Sequence, residues 1–191
     1  CFSLFSNKIL AVGEGGLVAT DDDDVAELVR RLRSLGEDGD DVRGLGFNYR
    51  LDEPRSALAL SRLPRLEADI ARRRELVRVY RDRLSGLDGV IVPYLDEEVD
   101  ASSCYVMPIL VADPERRDEA RLTLRERYGV QTSVLYPAIH EFTAYRERVG
   151  DLRLPRTELV ARSEITLPLF PHLGEEEQER VVAAVEEVLG G

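Results

Sequence analysis

Hydrophobic and polar positions alternate along this chain with two different periods. Residues 1–5 (CFSLF) read as a short buried strand. A polar turn at Ser6-Asn7-Lys8 follows, then an apolar step from Ile9 to Val12 and a glycine-rich tetrad, Gly13-Glu14-Gly15-Gly16. Leu17 to Thr20 is strand-like. The run Asp21 to Asp24 opens a helix, because acidic side chains favour a helix N-terminus and Asp is a good N-cap. Val25, Leu28, Val29 and Leu32 then recur at helical spacing, and Gly36 ends the element. Residues 36–50 (GEDGDDVRGLGFNYR) form a polar, glycine-rich loop longer than an ordinary connector.

From about Asp52 to Leu87 the pattern is helical, with Leu58, Leu60, Leu63, Leu66, Ile70, Leu76, Val77, Tyr80 and Leu84 as apolar positions. Pro64 kinks or divides it. Arg72-Arg73-Arg74, beside Asp69 and Glu75, reads as a solvated face with ion pairs. After Gly86 to Gly89 the texture changes. Val90 to Val92 is a strand, an acidic loop follows, and Ser103 to Val111 is a longer strand. Pro114 to Tyr128 is a helix starting just after Asp113, with Pro114 suited to the first turn. Val130 to Tyr136 alternates as a strand, residues 141–149 and 156–163 are short helices, Ile165 to Phe170 is extended, and Glu175 to Leu189 is an amphipathic helix. Strands alternating with helices place the chain in the α/β class. A boundary is expected near residues 85–90, with the long helix bridging the two parts.

Composition narrows the function. In 191 residues, 37 acidic side chains outweigh 26 basic ones, for a formal charge of −11. Such a surface repels phosphate backbones and anionic membranes, so neither nucleic acid nor membrane is an expected partner. No apolar run approaches the roughly 20 residues of a membrane span. Cys1 and Cys104 lack metal-ligand spacing, so no metal site is expected, and two thiols suit a reducing compartment. With no basic n-region and no small-residue cleavage site at the start, a cytoplasmic location is expected.

Lys8 changes the picture more than the totals do. Every other basic residue is arginine. A lysine amine can lose its proton and act as a nucleophile, whereas arginine stays protonated. Lys8 has Ser3, Ser6 and Asn7 nearby and glycines soon after, the hydroxyls and accessible backbone that can hold a phosphate. That points to a nucleotide phosphate clamp or to a Schiff base with pyridoxal phosphate. The P-loop order is excluded because this lysine precedes the glycines. The dinucleotide fingerprint is excluded because a strand-like run, not a helix, follows GEGG.

Four segments in order, CFSLFSNKILAVGEGGLVATDD, GFNYRLDE, LYPAIHEFTAY and ITLPLFPHLGEEEQERV, resemble the second half of the DegT/DnrJ/StrS sugar aminotransferases. These are pyridoxal phosphate enzymes of the aspartate-aminotransferase fold, fold type I. The resemblance implies an α/β chain comprising the tail of the large cofactor-binding domain with its bridging helix (1–87) and a complete small domain (88–191). It places Lys8 where the family's lysine forms a Schiff base with pyridoxal phosphate and then moves the proton. Ser3 matches the hydroxyl that contacts the cofactor phosphate. Asn48 matches an asparagine that reaches the phosphate in the neighbouring subunit, which implies a homodimer with shared active sites. Arg50 either binds an anionic group or pairs with Asp52. Tyr136 and His140 lie in the region lining the nucleotide-sugar pocket, and His172 is incidental.

The implied reaction moves an amino group from glutamate or glutamine to a keto-sugar, nucleotide-linked. A lysine here favours transamination, since relatives with histidine in its place are dehydratases. Glu53-Pro54-Arg55-Ser56 departs from the usual sequence after the asparagine motif. Family members are roughly twice this length, and their first half carries the aromatic and the carboxylate that serve the cofactor ring. A fragment lacking it would show an open sheet edge and exposed apolar surface. The alternative reading is a catalytically inactive fragment that acts only as a folded dimerisation domain.

Overall fold

In the computed structural model of this chain, which describes residues 1–190, Phe2–Ser3 (β1) pairs antiparallel with Gly16–Leu17 (β2), Phe2 opposite Leu17 and Ser3 opposite Gly16. Both strands are shorter than the sequence suggests, and their residues are exposed. Helix α1 (Asp23–Leu32) starts where the acidic run predicts, with the Asp22 carboxylate accepting the Val25 N–H at 3.1 Å. The following loop contains a tight hairpin, Glu37–Asp38 (β3) with Asp41–Val42 (β4). It closes through two glycines. Gly36 has φ +80°, and a Cβ on Gly46 would sit 2.0 Å from the Gly36 nitrogen. No side chain fits that crossing.

Helix α2 (Glu53–Arg62) is capped by Asp52, which accepts the Arg55 N–H at 2.8 Å. Pro64 divides the helical stretch as its missing N–H requires. The break is a 3-10 turn, Leu63–Arg65, before α3 (Leu66–Leu84) begins.

Packing divides the chain into Cys1–Asp69 and Ile70–Gly191. The residues of α3 from Ile70 onward pack in the second unit. The reason is burial: Leu76, Val77, Tyr80 and Leu84 of α3 lie in that unit's core. In the first unit the buried apolar residues, among those described, are Leu4, Ala11 and Val12. Neither α1 nor α2 buries a residue, and the stripe Val25, Leu28 and Leu32 along α1 is exposed.

The second unit is built on a three-stranded antiparallel sheet in which Val90–Ile91 (β5) and Glu164–Leu167 (β7) flank Met107–Val111 (β6). Alternation is visible on β6, where Met107, Ile109 and Val111 face the core while Pro108 and Leu110 are half-buried. The segment predicted as an acidic loop forms a short helix instead, α4 (Asp96–Ala101), whose start is fixed by Glu98 accepting the Leu95 N–H at 2.5 Å. A 3-10 turn at Pro114–Arg116 leads into α5 (Arg117–Tyr128), which ends at Gly129 with φ +67°. Residues 130–136 do not form the predicted strand. Only Ser133 pairs with the sheet, through Thr166 on β7.

Two short helices follow, α6 (Thr143–Val149) and α7 (Pro155–Ser163), and then α8 (Glu175–Leu189). Helix α8 buries Gln178, Val181, Val182, Val185 and Leu189, one face at helical spacing. Arg83 on α3 pairs with Glu179 and Glu186, one above the other on α8, at 2.7 and 3.0 Å.

The arginine triplet of α3 departs most from its sequence reading. Arg73 is buried and donates through one terminal nitrogen to the carbonyls of Cys104, Tyr105 and Leu169. Arg72 reaches Glu75 and the Leu173 carbonyl, and Arg74 donates to the Ser102 carbonyl at 2.8 Å. The triplet is not a solvated face. It ties α3 to the strand ends, because carbonyls leaving a sheet need donors that the sheet no longer supplies.

Candidate active site

Lys8 lies at the end of a tight turn. Its backbone N–H donates to the Phe5 carbonyl at 2.9 Å, with Ser6 and Asn7 in the two central positions that such residues favour. The loop is closed at its base by Val12 N–H to the Leu4 carbonyl, 2.9 Å, and by a bridge between Phe5 and Gly13. Leu4, Ala11 and Val12 are buried beneath it, and Lys8 is half-buried. Ser3, on β1, is exposed, and its hydroxyl accepts the Phe5 N–H at 3.3 Å. Ser3 on β1 thus lies just before the locally closed loop that holds Lys8.

Asn48 and Arg50 sit on a second segment. Residues 47–49 run beside the end of α1, with Phe47 N–H bonded to Leu32 O (2.7 Å) and Tyr49 N–H to Arg33 O (2.9 Å). Phe47 and Tyr49 stack at 4.9 Å between centroids with planes 8° apart. Asn48 lies between them in sequence, exposed, and its backbone pairs with Ser34. Arg50 is not the partner of Asp52, whose carboxylate instead takes the backbone N–H and the guanidinium of Arg55.

Gly15 joins the two segments. Its carbonyl accepts the Leu4 N–H at 2.9 Å, and Leu51 Cδ1 packs 2.9 Å from where a Cβ would lie. Beside it opens a cleft of about 1120 Å³ whose lining includes Gly15, Gly16, Thr20, Arg30, Arg33 and Arg50. The sequence reading missed Arg30 and Arg33. They stand at i and i+3 near the end of α1, and that spacing was the available signal.

Tyr136 and His140 belong to the second unit. Tyr136 is exposed, whereas the His140 side chain is only 8% exposed and its Nε2 lies 3.3 Å from Glu158 Oε1. Glu158 was also missed from sequence. It follows Pro155 at the start of α7 and accepts the Leu154 N–H at 2.9 Å, the arrangement of a helix-start carboxylate. That N–H, aided by His140 and Arg153 and opposed by burial, holds its carboxyl below the usual glutamate range. His172 is exposed after Pro171.

The residue types present fit pyridoxal phosphate: a primary amine that could take its aldehyde carbon and, just before the loop, a serine hydroxyl of the kind that can take a phosphate. No described helix is long and apolar enough to cross a membrane.

The model of the DegT/DnrJ/EryC1/StrS aminotransferase family matches residues 1–186. The chain is 35% identical over 198 aligned positions to dTDP-3-amino-3,4,6-trideoxy-alpha-D-glucose transaminase of Micromonospora megalomicea subsp. nigra, covering 100% of this chain and 52% of that protein. Among solved structures it resembles the aminotransferase TlmJ from Streptoalloteichus hindustanus, with 30% identity and a TM-score of 0.89 over 98% of this chain and 50% of that one. It also resembles NtdA from Bacillus subtilis with bound cofactor PMP, with 28% identity and a TM-score of 0.87 over 99% and 45% of the respective chains. The chain thus spans about half the length of the relatives it matches, and over that length it carries the α/β fold of the C-terminal part of these enzymes.

Proposed function

The chain belongs to the DegT/DnrJ/EryC1/StrS aminotransferase family, and from that premise we propose that it serves a pyridoxal-phosphate-dependent transfer of an amino group from glutamate or glutamine to a nucleotide-linked keto-sugar. The observation that carries the reading is Lys8, the one lysine of the chain, held half-buried on a closed loop that Ser3 on β1 just precedes.

Pyridoxal phosphate, when bound, supplies the electron sink for deprotonating the amino donor. Lys8 Nζ would hold the cofactor and would move the proton at the donor's α-carbon. Ser3 Oγ and the Asn48 side-chain amide would take the phosphate, Asn48 doing so across a homodimer with shared active sites. Arg50, Tyr136 and His140 contact the substrates. On this reading residues 1–87 are the tail of the large cofactor-binding domain with its bridging helix, residues 88–191 are the small domain, and the protein works in the cytoplasm.

The test is borohydride reduction of the purified protein with pyridoxal phosphate, followed by peptide mapping. A pyridoxyl group on Lys8, lost in Lys8→Ala, supports the reading. A protein that gives no such adduct leaves the catalytically inactive dimerisation domain as the better description.

A further inference from the structure

We propose that Glu158 is a positioning residue: it fixes the ring and the tautomer of His140, so that His140 meets its ligand through Nδ1. Glu158 and His140 both have almost wholly buried side chains, 11% and 8% exposed. Oε1 of Glu158 takes the Leu154 N–H at 2.9 Å and faces His140 Nε2 at 3.3 Å, while Oε2 faces Arg153 at 3.4 Å. An ionised carboxylate only accepts hydrogen bonds, so the proton in the contact belongs to Nε2. A neutral imidazole has one N–H, which leaves the lone pair on Nδ1.

Glu141 is the other carboxylate close to the pair; its oxygen, the His140 nitrogen and the Glu158 oxygen lie within 4.8 Å of one another. These three groups do not amount to a metal site, because both Glu158 oxygens already face N–H donors. The carboxylate works as an anchor instead.

A second buried carboxylate holds the other end of the same segment. Glu164 Oε2 accepts the Leu135 N–H at 2.9 Å, and its Oε1 takes the Thr166 hydroxyl. Residues 135–140 are therefore tied at both ends to the α7–β7 stretch, while Tyr136 and Ile139 between the ties are each 58% exposed. A segment ordered before its ligand arrives loses little freedom on binding, which favours affinity. The inference rests on the reading of Tyr136 and His140 as substrate contacts.

The chain has two histidines, so its imidazoles can be observed individually. Protein labelled with ¹⁵N-histidine is examined by two-bond nitrogen–proton correlation NMR, with His172→Asn to assign the peaks. The wild type is expected to show His140 as the Nε2–H tautomer. In Glu158→Gln, whose amide offers a donor as well as an acceptor, the expected result is a mixture of tautomers. KM for the keto-sugar is expected to rise about two- to threefold, because only the fraction with the lone pair on Nδ1 binds, with kcat nearly held. An Nδ1–H tautomer in the wild type, or a pattern unchanged in the variant, overturns the positioning role whatever KM does. A changed tautomer with an unmoved KM overturns the substrate reading of His140 and leaves the positioning intact.

Discussion

Replacing Arg73 with leucine removes the donor that three carbonyls share, those of Cys104, Tyr105 and Leu169, at 3.1 to 3.3 Å. One terminal nitrogen carries two hydrogens, so two charge-assisted bonds of about 1.5–3 kcal/mol each set the gross loss. Against this stands relief from keeping a guanidinium out of water, which costs several kcal/mol in a buried site. With about 3 kcal/mol of relief set against the upper end of about 6 kcal/mol, the net destabilisation is about 3 kcal/mol. With a urea m-value of about 1.5 kcal/mol/M, the midpoint for the second unit falls by about 2 M. Equilibrium unfolding followed by circular dichroism measures it. Arg73→Lys, which keeps the charge but not the planar fork, is expected to fall between. If Arg73→Leu shifts stability by less than about 0.5 kcal/mol, in the range of ordinary surface substitutions, the triplet's role as a tie between helix and strand ends is refuted.

Other consequences are as concrete. Gly46→Ala puts a Cβ 2.0 Å from the Gly36 nitrogen and 2.5 Å from the Leu35 carbonyl carbon, so the loop must open; tryptic cleavage after Arg43 should quicken several-fold, and an unchanged rate would falsify the close crossing. Tyr80, fully buried with its hydroxyl donating to the Pro168 carbonyl at 2.9 Å, has its phenol pushed above the ordinary range by burial. Its contribution to stability is complete below the unfolded phenol value of about 10 and is lost as pH rises above it. Ultraviolet titration should therefore find one tyrosine that ionises only as the second unit unfolds. Glu158 has the opposite sign: with its carboxyl held low by the Leu154 N–H, its contribution is full above the unfolded glutamate value of about 4.3 and fades as pH falls below it. Acid titration of Glu158→Gln should show a shallower loss of stability than the wild type.

Helices were legible in this sequence because their signals are local. Asp22 and Asp52 cap α1 and α2, and Pro64 interrupts the run between α2 and α3, each acting on backbone a few residues away. Strands were less legible. Val130 to Tyr136 alternates as a strand should, but only Ser133 finds a partner on the sheet. Arg73 was misread for a related reason: the carbonyls that bury it come from elements far along the chain, and no periodicity within α3 announces them. At the candidate site, Lys8 and Ser3 stood out by residue type and by motif. Glu158 did not, because its meaning depends on His140, which reaches it only through the fold.

The two units also differ in how much of their order they can supply themselves. The second unit's apolar cluster runs from Leu76 on α3 to Leu189 on α8, whereas the first keeps three apolar side chains from water. A calorimetric trace of this chain should accordingly be uneven, with a sharp high-temperature transition from the second unit and a broad early one from the first. Ligands that bind only the folded form raise its melting point by mass action, and the shift shows most in the part with least margin. The loop holding Lys8 lies in that part. Cofactor added to the protein should sharpen and raise the early transition and leave the late one in place, so that the warm-up curve becomes a titration of the site.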